Sequence, residues 1–336
     1  MFGSLYLKVF VNIILKRSET TVYIELFSNK NIIKNIEETF TTKSINEKML
    51  DFILEYTNES PFYYISILDT SSAQGAIPTC SKNQIGIFHD VTSSEHRCFK
   101  EKWSYFTSRE DLYALEKTYK PIGIDFVFSP FVMLAEFFKD KIDSHLAMFI
   151  LVEEKYLSLA VFDKSELLFA RHMDVQKRRD EEALLVYDEK AEELHSYLDE
   201  GIDLEEINPI DELEFLDDFA DIADLDALEE IDEFADSQDL EEEFYQDQIQ
   251  ESKGTLSEGF NEDFQRFLLI QSSVKRFYLE DKYKSIFIES VYIADGSGVS
   301  QDLKRYLEEE MFLSVYVRKI DLAQQVCELA KAELNS

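Results

Sequence analysis

Glycine and proline are scarce here, at nine and five in 336 residues. That excludes collagen-like and low-complexity chains and leaves few positions suited to left-handed backbone. Cysteine is scarcer still. Cys80, Cys98 and Cys327 are odd in number and irregularly spaced, which argues against a disulfide framework and reads as reduced thiols in a cytoplasmic protein. No apolar run approaches the roughly 20 residues that cross a bilayer. The opening stretch, residues 5–15, is interrupted by Lys8 and Asn12 and has neither a basic leader nor a small-residue cleavage site, so it reads as a buried first strand.

Bases are missing where acids crowd. Residues 180–251 hold 31 Asp and Glu against one basic residue, Lys190, and so supply -30 of the formal charge of -35. The remaining 264 residues carry 38 acids and 33 bases, an ordinary balanced surface. The chain therefore divides into residues 1–179, an acidic insert at 180–255, and residues 256–336. Within the insert every third residue from Leu213 to Phe234 is apolar. A period of three drifts about 60° per step around an α-helix, so no steady apolar face forms. Repulsion between carboxylates within the Debye length of about 8 Å also opposes compaction. The insert is expected to be mostly disordered. Two roles stay open for it: docking on a basic protein surface, or a solvated spacer. Calcium loops are disfavoured, because no glycine interrupts the acids between Asp211 and Asp236. Nucleic acid is disfavoured by charge.

The body alternates strand and helix patterns. Residues 5–15 and 20–27 form a hairpin around Lys16-Arg17-Ser18-Glu19. Ser44 with Glu47 reads as a capping box, followed by Met49, Ile53 and Tyr56 at helical spacing. Residues 62–68 form a strand, and Ser108 opens a second helix. A short strand at 124–128 leads into a helix after Pro130. Residues 147–152, 157–162 and 167–171 form a meander. A long amphipathic helix at 260–283 precedes a strand at 286–293, a glycine turn, a helix at 300–311, a strand at 313–317 and a helix from Asp321. These elements imply an α/β fold with mixed sheets flanked by helices.

Chemistry is thinly represented. Cys80, His89, His96 and Cys98 lie close in sequence, but their spacing fits no compact zinc-ligand pair. No nucleophile elbow, Walker loop, dinucleotide fingerprint or metalloprotease helix is present. We therefore expect no catalytic residues, no metal and no cofactor. One turn stands out: Asp295-Gly296-Ser297-Gly298, between a strand and a helix start, where backbone N–H groups can face an anion. It serves equally as a tight connection.

The order of elements resembles a known family. Gly123-Ile124-Asp125-Phe126-Val127-Phe128-Ser129-Pro130-Phe131, the meander from Met148 to Arg171, and Val291-Tyr292-Ile293-Ala294-Asp295-Gly296-Ser297-Gly298 carry the likeness. It is to the actin-like (ribonuclease H-like) PilM family of type IV pilus assembly and the cytoplasmic part of the GspL family of type II secretion. The likeness covers roughly residues 110–175 and 260–320, and residues 1–90 in element order alone. The resemblance implies phosphate-binding hairpins at Phe10-Val11-Asn12-Ile13-Ile14 and at Leu151-Val152-Glu153-Glu154-Lys155. Neither has the family's Asp-x-Gly turn, and adjacent glutamates repel phosphate. Only Asp295, Gly296, Ser297 and Gly298 match, as a vestigial nucleotide-binding turn.

The resemblance thus implies a degenerate, non-catalytic cytoplasmic scaffold, peripheral to the inner membrane. Its setting would be a pilus, secretion, DNA-uptake or flagellar-motor-associated machine. The implied partner is a PilN-like bitopic inner-membrane protein held by its cytoplasmic tail, with a homo-oligomer or ring also compatible. An actin-like ATPase with atypical phosphate contacts, and an acidic adaptor acting through its insert, are the alternatives.

Overall fold

The computed structural model describes residues 6–28, 31–42, 44–175 and 257–334. The acidic segment, expected to be mostly disordered, falls outside the described residues. The opening hairpin forms as expected, with β1 (Lys8–Leu15) antiparallel to β2 (Thr20–Ser28). A third antiparallel strand, β3 (Asn31–Phe40), has no counterpart in the sequence reading. It is exposed almost throughout, so it carries no alternating apolar signature.

Helix α1 (Glu47–Thr57) follows, and here the capping expectation fails. The cap is Asn46, whose Oδ1 accepts from Met49 N at 2.9 Å, while the Ser44 carbonyl accepts from the Thr42 hydroxyl. Asn is as good a cap as Ser, and its place directly before Glu47 decides the matter. Strand β4 (Tyr63–Leu68) then runs parallel to β1. Strand β5 (Gln74–Ile77), helix α2 (Lys82–Phe88), β6 (Ser94–Phe99) and β7 (Trp103–Ser108) build a small sheet of order β5-β7-β6. Helix α3 (Arg109–Thr118) is capped by Ser108, as expected. Strand β8 (Phe126–Phe128) completes the first large sheet, β3-β2-β1-β4-β8, and helix α4 (Pro130–Phe137) and the short α5 (Lys139–Ile142) follow.

The small sheet also corrects the cysteine reading. Cys80, before α2, and Cys98, on β6, are joined as a disulfide with Cα atoms 5.3 Å apart, and Cys327 is a buried free thiol. A pairing across 18 residues is set by the return of β6 alongside β7, a tertiary fact that spacing does not reveal.

The second large sheet repeats the first. The meander β9 (Ala147–Val152), β10 (Tyr156–Asp163) and β11 (Glu166–Asp174) is antiparallel. Helix α6 (Ser257–Leu279) then leads to β12 (Ser290–Asp295), helix α7 (Gln301–Glu309), β13 (Ser314–Lys319) and helix α8 (Leu322–Glu333). Strand β12 starts later than residue 286, because Ile286 and Phe287 are exposed and find no ladder. Its order, β11-β10-β9-β12-β13, is the order of the first sheet, with the first two connections antiparallel and the last two parallel. Two such ribonuclease H-like sheets in tandem make an actin-like fold.

The two lobes exchange their last helices. Helix α4 packs on β9 and β10, whereas α8 packs on β1, β2 and β4. A shared core fills the space between the sheets, with Phe10, Phe131, Phe138, Phe149, Phe162 and Val326 buried in it. Separate cores lie on the outer faces, one under α1 and one under α6 and α7. Glu25 on β2, fully buried, pairs with Lys331 of α8 at 3.0 Å and so ties the last helix to the first sheet. No helix among the described residues is long and apolar enough to cross a membrane.

Candidate functional site

The two hairpin turns of the large sheets face each other across a cleft. The β1–β2 turn brings Lys16 and Arg17, the β9–β10 turn brings Glu153, Glu154 and Lys155, and Gly296 and Leu322 close the floor. The cavity they leave is about 190 Å³, whereas small-molecule sites commonly span roughly 300–1,000 Å³. Asn12, placed by the resemblance in the first phosphate hairpin, lies mid-strand instead. It is buried and bonded to the Tyr23 carbonyl at 3.2 Å and to the Ser66 hydroxyl at 2.6 Å.

Arg17 spans the cleft. Its backbone N–H donates to Glu154 Oε2 at 3.4 Å, and Nη2 donates to the Glu154 carbonyl and to Glu262 Oε1, each at 3.0 Å. Behind it, Arg266 is buried and donates from Nη1 to Asp263 Oδ1 at 2.7 Å. Its Nη2 reaches the Glu153 carbonyl and Ser297 Oγ, each at 3.4 Å. One turn of α6 thereby joins the second hairpin to the glycine turn. Glu154 and Glu262 lie over a hundred residues from Arg17, as Glu153 does from Arg266, so no local pattern announced these links.

The glycine turn uses its donors internally. Asp295 Oδ1 accepts from the backbone N–H groups of Ser297, Gly298 and Val299 at 3.2, 2.6 and 2.9 Å. The next N–H, of Ser300, donates to Asp263 Oδ2 at 3.3 Å. Protein carboxylates thus occupy the start of α7, where an anion would otherwise sit. Gly298 takes φ +89°, which explains its identity. Gly296 is needed for a different reason: a Cβ there would lie 3.2 Å from the Val152 carbonyl and from Leu322 Cδ1.

Burial changes the charge expected at the second hairpin. Burial, with a smaller effect from neighbouring Glu154, pushes the Glu153 carboxyl up to about 8. It therefore keeps its proton at neutral pH and carries no charge to repel a phosphate. Glu154 faces Arg17. The space between the hairpins is thus crossed by Arg17, bonded to Glu154 and Glu262. On the same sheet, burial pulls the His172 imidazole down to about 4. Its Nδ1 shares a hydrogen bond with Ser158 Oγ at 2.8 Å, and Tyr156 stacks on the ring. No group of His, Cys, Asp and Glu suited to a metal is found among the described residues. His89 and His96 instead flank the Phe106 ring, with His89 stacked on it at 3.7 Å.

A model of a domain of unknown function, DUF8341, matches residues 148–335, more than half of the chain. The chain belongs to that family. A second domain of unknown function, DUF8569, matches residues 6–135. Thus the DUF8341 segment covers the second sheet and the acidic segment, and the DUF8569 segment covers the first sheet with its small inserted sheet. No curated protein matches the chain.

Among solved structures, the chain is similar to a Bacteroides thetaiotaomicron protein with actin-like ATPase fold and unknown function, at 11% identity and a TM-score of 0.49 over 97% of this chain and 96% of that one. It is also similar to the PilM–PilN type IV pilus biogenesis complex, at 8% identity and a TM-score of 0.48 over 95% and 94%. A third likeness is to (R)-2-hydroxyglutaryl-CoA dehydratase component A of Acidaminococcus fermentans, at 11% identity and 0.41 over 98% and 99%. The fold assignment itself rests on the duplicated strand order.

Proposed function

We propose that this chain is a non-catalytic actin-like scaffold, acting by holding a partner rather than by turning over a nucleotide. One observation carries the reading: Arg17 bridges the two hairpins to Glu154 and Glu262 across a cavity of about 190 Å³. In addition, the donors of the glycine turn are taken by Asp295 and Asp263. The resemblance of Gly123–Phe131, the meander and the Val291–Gly298 stretch extends the reading to an envelope machine. The partner class is then a bitopic membrane protein of the PilN kind, held by its cytoplasmic tail.

The test has two arms. Magnesium ATP at millimolar concentration should leave the melting temperature unchanged, since a ligand present at 100 times its Kd would add about 2.7 kcal/mol. Immobilised chain should retain a single-pass membrane protein from detergent extracts of its own cells. A shift of several degrees with ATP, or recovery of no such protein, counts against the scaffold.

A second reading is favoured by a specific feature. Lys16, Arg17 and Lys155 line the cleft, and buried Nε atoms of Arg17 and Arg266 have no hydrogen-bond partner. An ATPase with atypical phosphate contacts would use these cations. In that case Arg17→Ala abolishes the ATP-induced shift.

A further inference from the structure

A second concavity lies away from the cleft, between the small sheet and the second lobe. It measures about 610 Å³, within the range of roughly 300–1,000 Å³ that binding sites occupy. The C-terminal end of α2 forms one wall, and the β10–β11 turn and the loop after α6 form the other. Its floor is apolar. Phe88 lies 6.0 Å from the Tyr283 ring, centroid to centroid, and Leu168 is buried beside it. Ile87, also lining the groove, leaves 62% of its surface in water.

Charge surrounds this floor unevenly. Lys102, Lys164, Lys282 and Lys284 line the groove against Glu101 and Glu166. Lys282 is engaged with Glu280 at 2.8 Å. Among the described residues, Lys102, Lys164 and Lys284 have no carboxylate within ion-pair distance. Lys164 and Glu101 sit in left-handed turns, at φ +47° and +59°. On a body whose acids and bases nearly balance, four lysines against two glutamates around one groove is a local excess of base.

We propose that this groove is a docking surface for an acidic peptide segment of a partner protein, one studded with large apolar side chains. Ammonium groups on the rim pair with its carboxylates, and Ile87, Phe88 and Leu168 receive its apolar anchors. A purely phosphorylated ligand or a nucleic-acid backbone would leave the apolar side chains of the groove unused. The inference is independent of the cleft and of the scaffold reading.

The experiment uses the full chain and a short fluorescent peptide in which pairs of glutamate alternate with leucine or phenylalanine. Anisotropy should report binding that weakens as salt rises. Reversing three charges together, Lys102→Glu, Lys164→Glu and Lys284→Glu, should weaken it about tenfold or more, with the melting temperature kept because these groups are exposed. Ile87→Ser should weaken it without changing the salt dependence. The proposal is overturned if the peptide does not bind, if a lysine-for-glutamate peptide binds equally well, or if the charge-reversed variant keeps its affinity. Self-association of the chain that the same reversal abolishes would assign the groove to a second copy, and would also overturn it.

Discussion

Replacing Glu153 by glutamine should stabilise the folded chain, by an amount that grows with pH. The unfolded chain releases this proton near pH 4.5, whereas the folded chain keeps it to about 8. Between those values the unfolded state binds fewer protons, so stability is full at low pH and falls as pH rises through the window. Each pH unit costs about 1.4 kcal/mol, which accumulates to about 3 kcal/mol at pH 7. Glutamine keeps the size of the neutral acid and cannot ionise. Urea unfolding followed through the single tryptophan, Trp103, which is buried, measures the difference. Both proteins should have similar stability near pH 4.5 and then diverge steadily. A difference that stays constant from pH 4.5 to 8 would refute the reasoning, since a change in packing has no such pH dependence.

Four further outcomes are expected. His172, pulled down to about 4, works in the opposite sense: its contribution is present above the ordinary 6.5 and lost as pH falls toward 4. His172→Gln should therefore flatten the acid limb of the stability profile. Lys331→Met leaves Glu25 buried without its ammonium partner and should cost about 3 kcal/mol in urea unfolding, with partial recovery on adding Glu25→Gln. Removing the Cys80–Cys98 bond with a thiol reductant, or by Cys80→Ser with Cys98→Ser, opens a loop of 18 residues and should cost about 3 kcal/mol. Gly296→Ala forces a methyl group against the Val152 carbonyl and Leu322 and should cost about 1–3 kcal/mol, read as a lower melting temperature.

The strands of the meander were legible because β9 and β10 are buried along almost their whole length and are separated by charged turns. Helix starts at Ser108 and Asp321 were legible because helical spacing follows each. Strand β3 was not, since Ile32 and Ile33 are both exposed and the segment lacks a period of two. The small sheet escaped because β5 has only four residues and β6 is mostly exposed. At the cleft, the glycine turn could be found by its residue types. The bridging role of Arg17 could not, because its partners stand 137 and 245 residues away. The disulfide shows the same limit, since an odd count of cysteines concealed one pair and one thiol.

The exchange of α4 and α8 between lobes has a consequence for how the molecule can move or be divided. Severing the chain between Ile142 and Ala147 would leave the amino-terminal fragment without the helix that shields its sheet, and the carboxy-terminal fragment in the same position. Each piece would expose the aromatic faces of Phe10 or Phe149 to water. The halves are therefore obligate partners rather than two independent bodies.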